Sequence, residues 1–345
     1  MMSRQIVAML LAASLALVAA AACAQVRESG GGGGAQGGGE GEGENAPVEL
    51  AVVPKAIGFD FWEQVRIGAE CAARKAEGGV DVQWDGVTAE TDVSGQVNLL
   101  QNFITQGVDG LVYAATDAKV LYQVTKSAKQ QGVTVVNIDS GTDPQPEDVP
   151  VFATDNIAAA KRVPDLLAKE LGEGGGKIAF IPFQQGTLTN EQREEGFKEG
   201  LKQHPELKLV AEQSSQSNQN IALQVTEDIL TANPDLDAIF AANEPGVLGA
   251  AEAVRKAGKA GEVVIVGWDA SSEEVQGVRD GVISALVVQN PFRMGYDGVN
   301  AAVKIVREGV QVQDQDTGAT IVTKDNLDDP VVQSLLNPTC ENPPV

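Results

Sequence analysis

Two aspartates occupy equivalent places in two similar stretches of the chain. From Val108 it reads "VDGLVYAATD...AKQQGVTVVNIDSG", and from Leu236 it reads "LDAIFAANEP...VRKAGKAGEVVIVGWDAS". Each is an apolar run, a helix-period segment, a small-residue turn, a second apolar run and then an acid. Asp139 is followed by Ser140, and Asp269 by Ala270 and Ser271. Repetition of this kind marks two copies of one supersecondary unit. Ligands of doubly wound sheets sit beyond the carboxyl ends of the strands. The duplication therefore predicts one carboxylate from each half facing a shared cleft, against the simpler role of each acid as a helix N-cap.

A second cluster is "PKAIGFDFW", Pro54 to Trp62, which sets Phe59, Phe61 and Trp62 within four positions of a chain that is only 4% aromatic. Lys55 leaves the first apolar run, and Phe61 stands in the first turn of the next helix, so both point to the cleft mouth. Trp62 also lies on the helix stripe with Val65, Ala69, Ala72 and Ala76, which makes it part core. Phe59 is open to either role. Asp60 and Glu63 have the spacing of a capping box, which predicts Asp60 as the N-cap.

Several chemistries are excluded. The single histidine, His204, sits in a polar "KQHPELK" context, so neither Ser-His-Asp nor Cys-His catalysis has a base. With no H-E-x-x-H motif and no CxxC pair, no metal site and no cofactor are expected. The cluster "LGEGGGKIAF" precedes a strand and reads as an interlobe or helix-ending turn, not a phosphate loop. "DQDTG" at Asp314 lacks the further ligands of a calcium loop and reads as a turn. A formal charge of −23 argues against nucleic acid.

The elements that must hold the acids alternate short apolar runs with helix-period segments from Pro47 onward, which is βαβ punctuation and predicts parallel sheet. At 345 residues and 43% hydrophobic, two lobes are the natural division. Before them, residues 1–22 form an export segment, with Arg4 as its positive flank and Ile6 to Ala22 as its apolar stretch. Lipoprotein processing at Cys23 and ordinary cleavage after Ala24 both fit, the first favoured by the glycine-rich tract beyond the cysteine. Residues 23–46 then comprise the lipidated cysteine and a disordered glycine/glutamate tether of about 25 Å reach. Cys71 and Cys340 remain as an even pair in an oxidising compartment, either bridged or free.

Together these residues resemble the type I periplasmic sugar-binding proteins, the ribose-binding family, near its rhamnose and autoinducer-2 branch. The resemblance runs from Val48 to about Pro338 through "PKAIGFDFWEQVRIGAE", "DVSGQVNLLQNFITQGVDGLV", "VNIDS", "ATDN", "REEGF", "DLDAIFAANE", "VIVGWDAS", "VVQNPFRMGYDGV" and "TGATIVTKDNL". It implies an α/β fold of two doubly wound parallel-sheet lobes joined by a three-strand hinge at 153–156, 289–291 and 316–320. The N-terminal lobe would hold residues 47–154 and 290–317, the C-terminal lobe 155–289 and 318–338, with a tail at 339–345.

The resemblance further implies ligand contacts from Asp139, Asn243, Asp269 and Gln289, stacking from Phe61 and Trp62, and a donor at Lys55. Asn190 and Glu191 replace an expected acid and amide pair. Ser140 and Ser217 replace an arginine and an aromatic of the ribose binders, which argues against ribose itself. The implied function is capture of a monosaccharide or small polyol for an ABC permease, by a monomeric protein that touches the membrane only through its lipid. A receptor for a chemoreceptor or sensor kinase is the alternative, and a secreted sugar-acting enzyme a remote one.

Overall fold

The computed structural model describes residues 47–344. The export segment, Cys23 and the glycine/glutamate tract lie outside the described residues. The chain opens with β1 (Val48–Val53), α1 (Asp60–Lys75), β2 (Val80–Trp84), α2 (Val93–Gln106), β3 (Gly110–Tyr113), α3 (Ala118–Gln130), β4 (Thr134–Ile138) and β5 (Val151–Ala153). It continues through α4 (Asn156–Lys161), α5 (Val163–Leu171), β6 (Gly176–Ile181), α6 (Leu188–Leu201), β7 (Leu207–Glu212) and α7 (Gln219–Ala232). Next come β8 (Ala238–Ala241), α8 (Glu244–Lys256), β9 (Val264–Trp268), α9 (Ser272–Arg279) and β10 (Ala285–Gln289). The last elements are α10 (Pro291–Glu308), β11 (Gln315–Asp316), β12 (Ala319–Thr323) and α11 (Pro330–Leu336).

Two six-stranded sheets result, in the orders β11-β5-β4-β3-β1-β2 and β12-β10-β9-β8-β6-β7. The first is parallel throughout. The second is parallel except for β12, which runs against β10. The chain passes between the sheets three times, from β5 into α4, from β10 into α10 and from β11 into β12. In both sheets the strand order reverses beside the first strand, at β1/β3 and at β6/β8. Such switch points open a crevice at the carboxyl ends of the strands.

Helices cover both faces of each sheet, so the strands are apolar on both faces rather than alternating. In the first lobe, Val52 and Val112 face α1 and α10, whereas Ala51, Val53 and Leu111 face α2 and α3. The second lobe repeats the plan, with Ile239 and Ile265 on one face and Phe180, Phe240 and Val266 on the other. Two glycines let α1 and α10 touch backbone to backbone. A Cβ at Gly68 would stand 2.0 Å from the Phe292 carbonyl oxygen, and one at Gly295 would stand 2.0 Å from that of Val65. This contact fixes the start of α1, which carries Phe61 and Trp62, against the segment after Gln289.

Helices α4 and α5 fall where the sequence pattern names no element; their buried Ala159, Ala160, Val163 and Leu167 pack on the second sheet. The glycine cluster after α5 ends that helix inside the second lobe, with Gly172 and Gly175 at positive φ, and is not a crossing between lobes. Cys71 and Cys340 form a disulfide, their Cα atoms 5.4 Å apart. Among the described residues, no helix is long and apolar enough to cross a membrane.

Candidate functional site

Both repeated aspartates stand just past a strand in the left-handed region, Asp139 at φ 56° and Asp269 at φ 83°. That conformation costs a non-glycine residue roughly 1–2 kcal/mol. It is tolerated here because it turns each carboxylate back over the end of its sheet, and strain of this kind is concentrated at functional sites. Neither acid caps the following helix. That duty at α9 falls to Ser271, in a capping box with Glu274.

The two carboxylates line one cavity between the lobes. Asp139 is buried with Lys55, whose Nζ lies 2.9 Å from Oδ2 and also donates to Thr189 Oγ1 of the other lobe at 3.0 Å. Across the cavity, Asp269 Oδ1 accepts from Gln289 Nε2 at 2.7 Å and Oδ2 from the Glu244 N–H at 3.1 Å. Gln289 Oε1 is buried without a protein hydrogen-bond partner. Burial pushes the Asp269 carboxyl above its ordinary range, while the Arg193 guanidinium and the Gln289 amide oppose the rise.

The aromatic wall comes from the start of α1. Phe61 and Trp62 meet edge to face, their ring centroids 4.8 Å apart, and both line the cavity while packing into the first lobe's core. Opposite them, Lys55 Nζ stands 5.4 Å from the centre of the Phe183 ring. Asn243 caps α8 through its Oδ1 and turns its amide to Ser217 Oγ at 3.1 Å, which in turn donates to Glu90 at 2.5 Å. Glu90 is carried by the first lobe and Ser217 by the second, so this chain of bonds spans the cleft.

Of the residues named from the sequence, Lys55, Phe61, Trp62, Asp139, Asn243, Asp269 and Gln289 come together around this cavity. Asn190 and Glu191 do not line it. Asn190 is buried, but its Oδ1 is taken by the Phe183 N–H at 2.8 Å, so it braces the loop before α6. Glu191, one residue further along the helix, faces solvent. Glu191→Ala is therefore expected to leave solute affinity within about twofold of wild type by calorimetry, in line with the small effects of exposed substitutions.

Sequence reasoning missed Arg193, Glu90, Phe183 and Glu244, all at the cavity. Arg193 is the most consequential. Its Nε donates to Asn156 Oδ1 at 2.8 Å and Nη1 to the Ala242 carbonyl at 2.7 Å, and the guanidinium sits 4.3 Å from the Trp268 ring centre. Burial draws its pKa below the usual arginine value, held up in part by Asp269, Asp139 and Glu90. The signal for it was an arginine one turn from Thr189 on a helix face that also carries Phe197. Glu90 lies in a loop with no periodicity to reveal it.

Asp60 also departs from its expected role. The N-cap of α1 is Phe59, and no side chain of α1 itself caps the helix. The first two amides of α1 are instead taken by Glu244 of the opposite lobe, Asp60 N–H at 3.1 Å and Phe61 N–H at 3.0 Å. Asp60 is thereby free to reach across, where its Oδ2 accepts from the Ser272 N–H at 3.0 Å at the start of α9. Each lobe caps a helix of the other. Unsatisfied amides at a helix N-terminus favour an acidic partner wherever one is within reach.

Two lobes joined by three chain crossings, with acids from both converging on one cavity lined by charged, amide and aromatic side chains, define a solute-binding architecture. The chain belongs to the family described as periplasmic binding protein domain, whose pattern matches residues 50–309. It is 31% identical over 270 residues to the D-allose-binding periplasmic protein of Escherichia coli K12, covering 76% of this chain and 86% of that protein. It is 32% identical over 262 residues to the D-ribose/D-allose-binding protein of Pseudomonas aeruginosa, covering 74% and 82%. Among solved structures, an ABC transporter solute-binding protein from Agrobacterium vitis with bound D-fucose superposes with a TM-score of 0.79 at 34% identity, over 84% of this chain and 99% of that one.

Proposed function

We propose that the protein captures a neutral monosaccharide or small polyol in the cavity between its lobes and delivers it to an ABC importer. The observation that carries this is the convergence of Asp139 and Asp269, one from each lobe, beside the Phe61 and Trp62 rings. Carboxylates and amides pair with vicinal hydroxyls, and aromatic faces cover the C–H face of a sugar ring. Asp139, Asp269 and Gln289 supply acceptors, and Lys55, Arg193 and Asn243 supply donors. A buried polar group left without its hydroxyl costs about 1–3 kcal/mol, which is enough to separate epimers. Lys55 is the feature behind a place near the rhamnose and autoinducer-2 branch.

The lobes would hinge at the three crossings, closing on the solute because the closed form alone brings both acids to it. Export, anchoring through Cys23 and reach through the tract at 23–46 complete the reading, with the permease as partner and the protein acting as a monomer. A thermal-shift panel of pentoses, hexoses, deoxyhexoses and polyols tests it, together with mass spectrometry of solute retained by native protein. Stabilisation by one or a few sugars is expected. Silence across the panel, with a response only to amino acids or anions, would remove the sugar assignment.

A further inference from the structure

The hinge accounts for three passages of the chain between lobes, and the C-terminal segment makes a fourth of a different kind. Helix α11 belongs to the second lobe: Val332, Leu335 and Leu336 are buried in its core. Four residues later, Cys340 is bonded to Cys71, a fully buried residue in the middle of α1 in the first lobe. Lys75, one turn further along α1, donates from Nζ to the Cys340 carbonyl at 2.9 Å while standing 5.7 Å from the centre of the Tyr296 ring of α10. The cysteine end of the segment is thus held by the first lobe and the helical end by the second.

The segment also crosses a place that must widen if the lobes part. A groove runs between them, with Asp60, Gln64 and Ile67 of α1 on one wall, Ser272 and Val275 on the other, and Pro338 beside them. The Asp60–Ser272 contact and the disulfide anchor α1 at positions 60 and 71, roughly 16 Å apart along the helix axis. Four residues from Leu336 to Cys340 span at most roughly 14 Å when fully extended. A disulfide adds no more than about 7 Å between Cα atoms.

We propose that the Cys71–Cys340 disulfide turns residues 337–339 into a covalent strap that limits how far the lobes open. It rests on the two-lobe closure proposed for solute capture but not on the identity of the solute. A strap of this length bounds the open form from outside the cavity, so it trims the range of open geometries without touching a ligand contact. Reduction of the bond, or its absence, frees the second lobe to swing on the hinge strands alone.

The test is small-angle X-ray scattering on protein freed of solute by exhaustive dialysis, so its outcome is independent of any sugar panel. Three chains are compared: wild type, Cys340→Ser, and wild type with four Gly/Ser residues inserted after Pro338, its disulfide verified by mass spectrometry. A larger radius of gyration than wild type is expected for both altered chains. The insertion separates strap length from the mere presence of the bond. Expansion of Cys340→Ser alone would assign the disulfide to stability and overturn the strap, and equal radii in all three chains would overturn it as well.

Discussion

Asp269→Ala is expected to weaken solute binding by about 100-fold or more while leaving the melting temperature of the solute-free protein within a few degrees of wild type. The first part rests on the loss of a two-oxygen acceptor in a buried cavity. Hydrogen bonds to a charged group contribute about 1.5–3 kcal/mol each, and each 1.4 kcal/mol is tenfold in affinity. The second part rests on the role of Asp269 within the protein. It accepts from Gln289 and from the Glu244 N–H, burial already opposes its charge, and the Arg193 guanidinium that offsets this burial keeps its own bonds to Asn156 and Ala242. Removing it relieves one unfavourable burial while stranding two donors, the Gln289 side-chain amide and the Glu244 N–H.

Asp139→Ala should differ in a measurable way, although the two acids are equivalent in the sequence. Binding falls by a comparable factor, and the solute-free protein also loses stability. The Lys55 ammonium, 2.9 Å from Asp139 and buried with it, is left without its counter-charge. Removing one partner of a buried ion pair costs about 3–5 kcal/mol, which lowers the melting temperature by roughly 5–10 °C in a chain of this size. Lys55→Met combined with Asp139→Ala should recover much of that loss. Isothermal titration and melting curves on the three variants decide the matter. Identical melting of Asp139→Ala and wild type would show that the ion pair does not support the fold.

Legible and illegible features of the sequence divide along a physical line. Strands such as Val48–Val53 and Thr134–Ile138 are read from apolar runs, because both faces of a parallel sheet are covered and nothing else competes for those residues. The repeated Asp139 and Asp269 stand out because a duplicated unit repeats the turn at its strand end, after β4 in one lobe and β9 in the other. Asp60 was misread for the opposite reason. A capping box is a local rule, and the α1 amides are taken instead by Glu244, which is 184 residues away from Asp60 in the chain. Arg193 and Glu90 are held by partners on other elements, Asn156 and Ala242 for the first and Ser217 for the second. No spacing along the chain encodes those contacts. Glu191 illustrates the converse: it sits at a family position, but its place on α6 turns it to solvent.

Glu244 should make solute capture stronger in mildly acidic than in alkaline solution. With the Asp60 and Phe61 N–H groups bonded to it across the cleft, it is largely buried, and its pKa is raised from the ordinary 4.5 to about 7. Burial is the main cause; the like charges of Asp269 and Asp60 add to it, while the Phe61 and Asp60 amides pull it back. When the lobes part, this first residue of α8 loses those two amides and meets water, and its pKa returns toward the ordinary range. Closure therefore takes up a proton. A carboxyl whose pKa is higher in the closed form favours closure below that pKa, and the advantage is lost as pH rises through about 7. Between pH 8 and pH 6 the linkage amounts to about tenfold in affinity, with close to one proton taken up per solute near pH 6. Asp269 shifts in the same direction but is also proposed to hold the ligand, so the assignment needs a variant that leaves Asp269 in place. Glu244→Gln keeps an acceptor for the α1 amides and removes the titration. Calorimetry in buffers of differing ionisation enthalpy should show proton uptake in wild type and almost none in this variant. Equal uptake in both would place the linked proton on another group, with Asp269 the first to examine.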